Sequence, residues 1–431
     1  MVNSSGKPEF EDVPLTGEAF PHDHAKLPAE IPQTGDRGIR LADVVNGKNT
    51  LEEFTAQLTD YDLSCIIRGE GMGSPKVTAG TAAAFGGVSD TLTALGIPCA
   101  CCDDGPSGMR LDCGTKAFSL PNGTLLASTF DRPLMTELFT FMGLEMHTNQ
   151  VDCLLGPGMN IHRHPLNGRN FEYFSEDPYL TGEMASAELA GLHSTGAEGT
   201  IKHFCGNNRE TRRHFLDSVI SERALREIYL RGFEKAVKKG GAKSVMTTYG
   251  QVNGVWTAGN YGLVTGILRD DWGFDGFTMT DWWANINRRG KAPDKSDFAA
   301  MAMAQNDVYM VTADGAACND NTLDSLKSGE LTRGELQRNA MNILRFLTTT
   351  HAMKRVMGCD DETEIINRPA DAGDVDSTDI EFHDIDEDLT LDLTGITTEK
   401  GSSYAFGLNV SKPGVYKVCL LYTSDAADDS L

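Results

Sequence analysis

The sequence is poor in basic residues and lacks an apolar segment of membrane-spanning length. Its 431 residues include 38 Lys and Arg against 62 Asp and Glu, which gives a formal net charge of -24. Because phosphate backbones and anionic lipids bind clustered Lys and Arg, this balance argues against nucleic-acid and membrane partners. The opening residues also lack the basic and then apolar pattern of a secretory signal, so we expect a cytoplasmic protein.

Three common catalytic signatures are absent as well. The sequence has no G-x-S-x-G elbow, no Walker phosphate-binding loop and no H-E-x-x-H zinc motif. The glycine-rich stretch GEGMGS, which begins at Gly69, does not have the spacing of a dinucleotide fingerprint and predicts a turn. We therefore expect no cofactor. An open-sheet cofactor enzyme is the least favoured interpretation, and bound nucleotide in the purified protein would revive it.

The cysteines and histidines give little support for a metal site. The 10 cysteines are scattered, and several lie in apolar runs such as IPCACC, which is typical of a reducing compartment. Cys99 and Cys102 form a C-x-x-C inside one strand-like run, and no second pair follows at zinc spacing. His22 and His24 form an isolated H-x-H. We predict that the chain binds no metal.

From residue 47 to residue 357, short β-rich runs alternate with amphipathic helix patterns. The runs are nearly continuous in apolar residues, as strands covered on both faces must be. They are GIPCACCDDG, VDCLLGPGMN, GTIKHFCGNN, AKSVMTTYGQ, GFTMTD and DVYMVTADG. This alternation predicts an α/β fold with a parallel sheet, either a TIM-like (β/α) barrel or an open doubly wound sheet.

The clearest helix pattern is SERALREIYLRGFEKAVKKGG, which begins at Ser221. Ser221 is the expected N-cap. The residues expected to share its buried face are Leu225, Ile228, Tyr229, Phe233 and Val237.

Polar side chains lie in or directly after five of the β-rich runs, toward their C-terminal ends. They are Asp104, Asn160, Lys202, His203, Tyr249 and Asp281. In a parallel barrel these ends meet at one rim, where active sites are assembled. Carboxylates, cations and indole rings together suit a sugar, because charged groups bind its hydroxyls and an indole covers its C–H face. Taken alone, Asp281 could instead begin a loop or cap the next helix.

Five segments resemble the barrel domain of glycoside hydrolase family 3, which contains many β-glucosidases. In the order of the family they are DDGPSGMR, GPGMNIHRHPLNGRNFEYFSEDP, IKHFCGNNRE, SVMTTYGQVNG and GFDGFTMTDWW. The similarity covers residues 47–357. It implies a (β/α) barrel that acts on a β-glucoside or related oligosaccharide.

The resemblance implies a role for each matching position. Asp281 matches the catalytic nucleophile and Trp282 the neighbouring sugar platform. The positions that match residues binding or lining the cleavage subsite are Asp104, Arg110, Arg169, Lys202, His203, Met246 and Tyr249. We expect Tyr249 to donate a hydrogen bond to Asp281, and cations such as Arg169 and Lys202 to favour the ionised nucleophile.

A retaining glycosidase also needs a second carboxyl group about 5 Å from the nucleophile to act as acid and base. In many family members this group is a glutamate on a separate α/β sandwich domain, which is not recognisable in this sequence. We expect Glu172, Glu176 and Glu210 to pair with arginines instead. KHFCGNN also lacks the histidine of the N-acetylglucosaminidase branch. The chain is therefore either a β-glucosidase-type hydrolase or a truncated barrel that only binds carbohydrate.

Both ends of the chain predict structure outside the barrel. Residues 1–46 are rich in turn-forming residues and predict a linker. Residues 358–431 begin with an acidic connector, followed by SYAFGLNVSKPGVYKVCLLY, which predicts two strands of an incomplete β-sandwich. CLLYTSDAADDS resembles a translated library adapter, so we expect an artefactual tail on a fragment. The sequence leaves open a homo-oligomer, the aglycone and the choice among glucose, xylose and arabinose.

Overall fold

The computed structural model falls into two units, Met1–Thr363 and Glu364–Leu431. The residues that the structure describes are 5, 27–287, 292–361, 381–385, 389–392 and 406–411. His22, His24, most of the predicted linker and the predicted artefactual tail lie outside these ranges. Among the described residues, none of the helices combines the length and hydrophobicity needed to span a bilayer.

The described part of the first unit is an α/β fold. Its strands are β1 (Arg68–Glu70), β2 (Ala83–Gly86), β3 (Cys99–Asp104), β4 (Cys153–Leu155), β5 (Glu198–Phe204), β6 (Asp217–Ser218), β7 (Ser244–Thr247), β8 (Gln251–Val252), β9 (Val255–Trp256), β10 (Phe277–Met279) and β11 (Tyr309–Thr312). The six strands predicted from the apolar runs are present as β3, β4, β5, β7, β10 and β11.

Along the chain, the α-helices precede, separate and follow these strands. They are α1 (Leu41–Val45), α2 (Leu51–Thr55), α3 (Asp60–Ile66), α4 (Asp90–Ala94), α5 (Gly123–Ala127), α6 (Arg132–Thr148), α7 (Pro178–His193), α8 (Glu222–Ala224), α9 (Arg231–Lys238), α10 (Phe298–Met303), α11 (Thr322–Ser328), α12 (Arg333–Leu347) and α13 (His351–Val356). Short 3₁₀ helices span Asn170–Glu172, Arg213–Phe215 and Thr257–Gly259, and π-helical turns span Leu225–Tyr229 and Gly262–Asp271.

Eight strands form one nearly closed, barrel-like sheet in the order β10-β7-β5-β4-β3-β2-β1-β11. A parallel bridge between Met279 and Val308 joins its two edges. Neighbouring strands run parallel except at β2, which is antiparallel to both β1 and β3. The prediction of a wholly parallel sheet is therefore wrong at β2. The chain enters β2 from β1 through turns without a crossover helix, and a parallel neighbour would require such a crossover.

The first strand was missed because its residues are not apolar. β1 has the sequence RGE and includes Gly69, where the sequence predicted only a turn; the turn follows the strand at residues 72–73. Arg68 is fully buried and donates to Asp320 through Nε at 2.7 Å. This strand is therefore buried together with the ion pair between Arg68 and Asp320, and its sequence shows no hydrophobic run.

The helix predicted from Ser221 is present but interrupted. The Ser221 hydroxyl accepts a hydrogen bond from the Ala224 amide at 3.4 Å, as expected for an N-cap. The π-helical turn Leu225–Tyr229 then separates α8 from α9. Phe233 is buried as predicted, whereas Ile228 is exposed, because the wider turn shifts the side-chain phase away from a 3.6-residue period.

Strand β10 is fixed firmly before its C-terminal end. Phe277 stacks on Phe85 of β2, with ring centroids 4.8 Å apart, and lies 4.6 Å from Phe346 of α12. The Thr278 amide donates to Asp307 Oδ2 at 2.9 Å. These contacts anchor the strand from which Asp281 projects.

The described part of the second unit contains β12 (Glu381–Ile385) and β13 (Phe406–Val410), which pair in parallel. Strand β13 was predicted. Its partner β12, however, lies inside the predicted connector, so that part of the prediction is wrong. The second predicted strand falls outside the described residues, and the incomplete β-sandwich stays a prediction.

Candidate active site

Asp281 lies directly beyond β10 and is only 6% exposed. Its Oδ1 accepts a hydrogen bond from the Trp282 amide at 2.8 Å. Its Oδ2 is buried and has no hydrogen-bond partner among the described residues. The next α-helix, α10, is capped by Asp297. Asp281 is therefore not a helix cap, and one of its oxygens remains available for chemistry.

His203, in β5, faces the free oxygen of Asp281. Its Nε2 lies 3.7 Å from Asp281 Oδ2. Its Nδ1 lies 3.2 Å from the Tyr173 hydroxyl and 3.3 Å from Asn160 Oδ1, and the side chain of Asn160 also bonds both backbone groups of His203. Burial, reinforced by nearby cations, lowers the pKa of His203 well below its usual value. The imidazole is therefore a neutral ring held in one orientation.

Asp104, at the end of β3, is paired with two cations. Lys202 Nζ donates to its Oδ1 at 3.0 Å, and Arg110 Nη1 lies 3.4 Å from its Oδ2. Burial alone would raise the pKa of Asp104, but Lys202 and Arg110 outweigh that effect and hold it below its ordinary value. The structure thus brings together three predicted site residues, with Lys202 buried and Arg110 largely exposed.

Arg169 precedes the 3₁₀ helix Asn170–Glu172, and its Nε donates to the buried carboxylate of Glu172. Glu210 also pairs with an arginine, at 2.9 Å. The predicted ion pairs are therefore confirmed for these two glutamates. Glu176 is exposed and forms no ion pair within the described part of the chain, so the prediction is wrong there.

Met246 and Tyr249 are both buried. Met246 in β7 is in register with Met279, the last residue of β10. Burial raises the pKa of the Tyr249 hydroxyl, and the Asp281 carboxylate raises it further. Tyr249 accordingly keeps its proton. The predicted hydrogen bond from its hydroxyl to Asp281 stays a prediction, because Asp281 Oδ2 has no hydrogen-bond partner among the described residues.

Arg213 is a site residue that the sequence analysis missed. Its guanidinium carbon lies 4.7 Å from the centre of the Tyr249 ring, and its Nη1 donates to Glu210 Oε2 at 2.9 Å. The available signal was the arginine-rich stretch RETRRHF after KHFCGNN. A loop has no periodicity from which to tell which of these arginines faces the site.

The net electrostatic effect on Asp281 is a raised pKa. Burial is the largest influence. Arg169, Lys202 and Arg213 each lower the pKa, and so does the hydrogen bond from the Trp282 amide. The cations thus act in the predicted direction but do not offset burial. Asp281 therefore takes up a proton at a higher pH than an ordinary aspartate.

The two tryptophans after Asp281 differ. Trp282 is partly buried against the core, and its role as a sugar platform stays a prediction. Trp283 is 49% exposed and has a left-handed φ of 55°. The sequence analysis gave Trp283 no role.

One group of potential metal ligands exists within the described residues: His147, His351 and Asp360. His351 Nδ1 lies 2.6 Å from Asp360 Oδ1. Two ligands bound to one ion at about 2.0–2.1 Å each lie farther apart than this, so a direct hydrogen bond accounts for the contact better than a shared metal. Cys99 and Cys102 both lie in β3, as predicted.

The family model for the glycosyl hydrolase family 3 N terminal domain matches residues 36–346. The chain belongs to glycosyl hydrolase family 3. It is 63% identical over 429 residues to a β-glucosidase of Ruminococcus albus, covering 99% of this chain and 45% of that protein.

Two solved structures extend the comparison. A β-glucosidase from Paenibacillus barengoltzii matches with a TM-score of 0.76 and 53% identity, over 84% of this chain and 40% of that one. β-Glucosidase 3B from Thermotoga neapolitana in complex with glucose matches with a TM-score of 0.65 and 37% identity, over 73% of this chain and 44% of that one. The family 3 chain thus spans less than half the length of these three relatives.

Proposed function

We propose that the chain carries the glucosyl-binding part of a retaining β-glucosidase and that Asp281 is its nucleophile. The observation that carries this proposal is the buried Asp281 Oδ2, which lacks a hydrogen-bond partner among the described residues and lies 3.7 Å from His203 Nε2. The names of the relatives support the substrate class, because the three compared proteins are β-glucosidases.

The reaction would be a double displacement. Asp281 Oδ2 attacks the anomeric carbon, the bond to the aglycone oxygen breaks, and that oxygen takes a proton from an acid. A glycosyl-enzyme ester results. Water then attacks the same carbon, gives up a proton and releases the sugar, which regenerates the carboxylate.

The other predicted residues would hold the non-reducing glucosyl ring. Asp104 is already paired with Lys202 and its pKa is lowered, so neighbouring hydroxyls can bridge the two side chains without rearrangement. Arg110 and Arg169 add charged donors at the same rim. Neutral His203 adds a donor or an acceptor whose orientation is already fixed by Asn160.

We assign no acid/base residue within the described part of the chain. Glu172 and Glu210 are engaged by Arg169 and Arg213. This observation favours the second candidate function, a family 3 barrel that binds a glucosyl unit but cleaves only substrates whose leaving group needs no protonation.

A pre-steady-state burst tests the nucleophile. We expect 2,4-dinitrophenyl β-D-glucoside to release a burst of phenolate and to increase the mass of the full chain by one glucosyl unit. Asp281→Asn should abolish both signals, whereas Asp324→Asn, an exposed aspartate in α11, should keep them. A burst that survives in Asp281→Asn would overturn the assignment. Wild-type protein that binds glucose but gives no burst would support the binding-only alternative.

The finer description of the fold and location is also proposed here. We infer a TIM-like (β/α) barrel with β2 reversed, followed by the start of a β-sandwich, in a cytoplasmic protein. The nearly closed sheet and the cysteines, which are free wherever they are described, support this description.

A further inference from the structure

The segment that follows β11 lies along one face of α3. Tyr61, Ser64 and Cys65 are three and four residues apart, which places them on the same side of that helix. The Tyr61 hydroxyl donates to the Ala316 carbonyl at 3.1 Å, and the Ser64 hydroxyl lies 3.3 Å from Cys318 Sγ. Cys65 belongs to the face that these two contacts hold against the segment, and it is fully buried. The fold therefore brings together two cysteines that are far apart in the sequence.

The surroundings of Cys318 suit a reactive thiol. Its side chain is only partly buried, and its sulfur accepts a hydrogen bond from Arg68 Nη1 at 3.2 Å. A cationic donor stabilises negative charge on sulfur, and the thiolate is the form that reacts with oxidants. Asp320 accepts from Arg68 Nε at 2.7 Å, so it offsets part of the charge but fixes the guanidinium in place.

The backbone of Cys318 is held in a left-handed conformation, with a φ of 50°. This conformation is uncommon for residues other than glycine and persists where surrounding contacts enforce it. The contacts of its sulfur with Ser64 and Arg68 are of that kind. They keep the sulfur directed at α3.

Cys65 has the opposite character. Burial raises the pKa of Cys65 to about 11, and the charge and hydrogen bonding of the Cys318 side chain contribute to the rise. A buried thiol that keeps its proton is a poor first target for an oxidant. Once Cys318 carries no negative charge, however, one of the influences that keep Cys65 protonated is removed.

Other described cysteines lack this combination of an accessible and a buried thiol. Cys102 and Cys153 are in register on β3 and β4, but both are fully buried. Cys113 and Cys359 are exposed and provide references for the reactivity of a thiol that solvent reaches.

We propose that Cys318 and Cys65 form a disulfide when the protein meets a peroxide, with Cys318 oxidised first and Cys65 as the resolving thiol. The Cys318 thiolate attacks one oxygen of hydrogen peroxide, the O–O bond breaks, and the leaving hydroxide takes up the proton that Cys318 had lost. A sulfenic acid and one water result. Cys65 then gives up its proton and attacks the sulfenic sulfur, the S–O bond breaks, and the leaving hydroxide becomes a second water.

Two thiols and one peroxide thus become one disulfide and two waters. The disulfide ties α3 to the segment after β11. A reversible bond of this kind is the form in which disulfides occur in reducing compartments, where they act as redox sensors. The reaction does not involve Asp281, so it is independent of the proposed hydrolytic function.

Peptide mapping after oxidation tests the pair. The full chain is treated with hydrogen peroxide at a dose that oxidises Cys113, the remaining thiols are alkylated in denaturant, and the protein is digested without reduction. We expect two peptides joined through Cys65 and Cys318, which dithiothreitol separates. Cys65→Ala should lose the joined peptides, and dimedone should label its Cys318 sulfenic acid several-fold more than in the wild type.

Two further variants complete the test. Cys318→Ser should leave Cys65 unoxidised, because peroxide does not reach the buried thiol. Cys359→Ser removes an exposed thiol and should leave the joined peptides unchanged. Thermal unfolding of the reduced proteins verifies that each variant is folded.

Three results would overturn the proposal. The first is oxidation of Cys113 without any joined peptides containing Cys65 and Cys318, and the second is a bond from Cys318 to a different cysteine. The third is a bond that forms only when the protein is denatured before oxidation. Equal dimedone labelling of Cys318 in the wild type and in Cys65→Ala would contradict the resolving role of Cys65.

Discussion

The guanidinium carbon of Arg213 lies 4.7 Å from the centre of the Tyr249 ring. Tyr249 in turn adjoins the Asp281 carboxylate, whose pKa burial raises and the charge of Arg213 lowers. The charge of Arg213 thus lowers the pKa of Asp281 and also that of Tyr249, in both cases against the larger effect of burial. Ionisation of Asp281 depends on a residue that does not contact its carboxylate.

Replacing Arg213 should move the acidic limb of the pH profile. As the proposed nucleophile, Asp281 would react only when ionised, so the burst rate should fall as pH decreases through its pKa. Arg213→Met removes a charge that lowers this pKa, and the limb should therefore shift to higher pH. Arg213→Lys should shift it less. Stopped-flow measurement of the phenolate burst across pH tests this. Arg223→Met, at an exposed arginine of α8, is the control; an unmoved limb in Arg213→Met would contradict the expected role.

Asp281→Asn should raise thermal stability while abolishing the burst. A buried carboxyl with a raised pKa favours the folded state only while it is protonated, and that contribution is lost as pH rises through the folded pKa. Asparagine does not ionise. The unfolding midpoint should therefore exceed that of the wild type by about 2 °C at neutral pH and by less near pH 4. Calorimetric scans at both values test this, and a gain that grows on acidification would be inconsistent with it.

Asp104→Asn should weaken glucose binding about tenfold or more, because a hydrogen bond to a charged group contributes about 1.5–3 kcal/mol. The variant also leaves the buried ammonium of Lys202 without its counter-ion. Asp112→Asn is the matched control, since Asp112 lies 3.4 Å from the same Arg110 but is exposed. Calorimetric titration with glucose distinguishes the two. Equal losses in both variants would mean that only the charge near Arg110 matters.

The ion pair between Arg269 and Asp307 should contribute strongly to stability. Arg269 Nη2 lies 2.6 Å from Asp307 Oδ2, and both side chains are buried. Arg269→Met leaves a buried carboxylate without its cation and should cost about 3–5 kcal/mol of unfolding free energy. Arg226→Met breaks two exposed pairs, with Glu222 and Asp271, and should cost no more than about 1 kcal/mol for each.

Denaturant titration measures both effects. The double variant Arg269→Met with Asp307→Asn should recover part of the loss, because it no longer buries an unpaired charge. If the double variant recovers none of the lost unfolding free energy, the loss comes from the packing of the Arg269 stem and not from an unpaired charge.

Sequence patterns predicted much of the candidate site because its residues lie at or near the ends of their strands. Asp104, Lys202 and Asp281 end or follow predicted apolar runs, and parallel strands bring such ends to one rim. The resemblance to the family then favoured a nucleophile over a helix cap for Asp281. Asn160, a strand-end residue without a role in the sequence analysis, orients His203.

Other features had no local signal. Strand β1 is polar, and its burial accompanies an ion pair between Arg68 and Asp320, 252 residues apart. The antiparallel direction of β2 depends on how the helix-free segment between β1 and β2 packs. Arg213 lies over the Tyr249 ring, and the Trp283 amide donates to the Met310 carbonyl. Both partners come from other strands or strand ends, so no local pattern predicts these contacts.

The amino-acid order alone therefore determined the α/β architecture, the strand that leads to Asp281 and the charged groups expected around it, because periodicity and strand termini are local properties. The tertiary structure decided the direction of the Asp281 pKa and the position of Arg213 over the Tyr249 ring. Both depend on how much water the fold excludes and on which distant groups it brings together. No local pattern encodes those quantities.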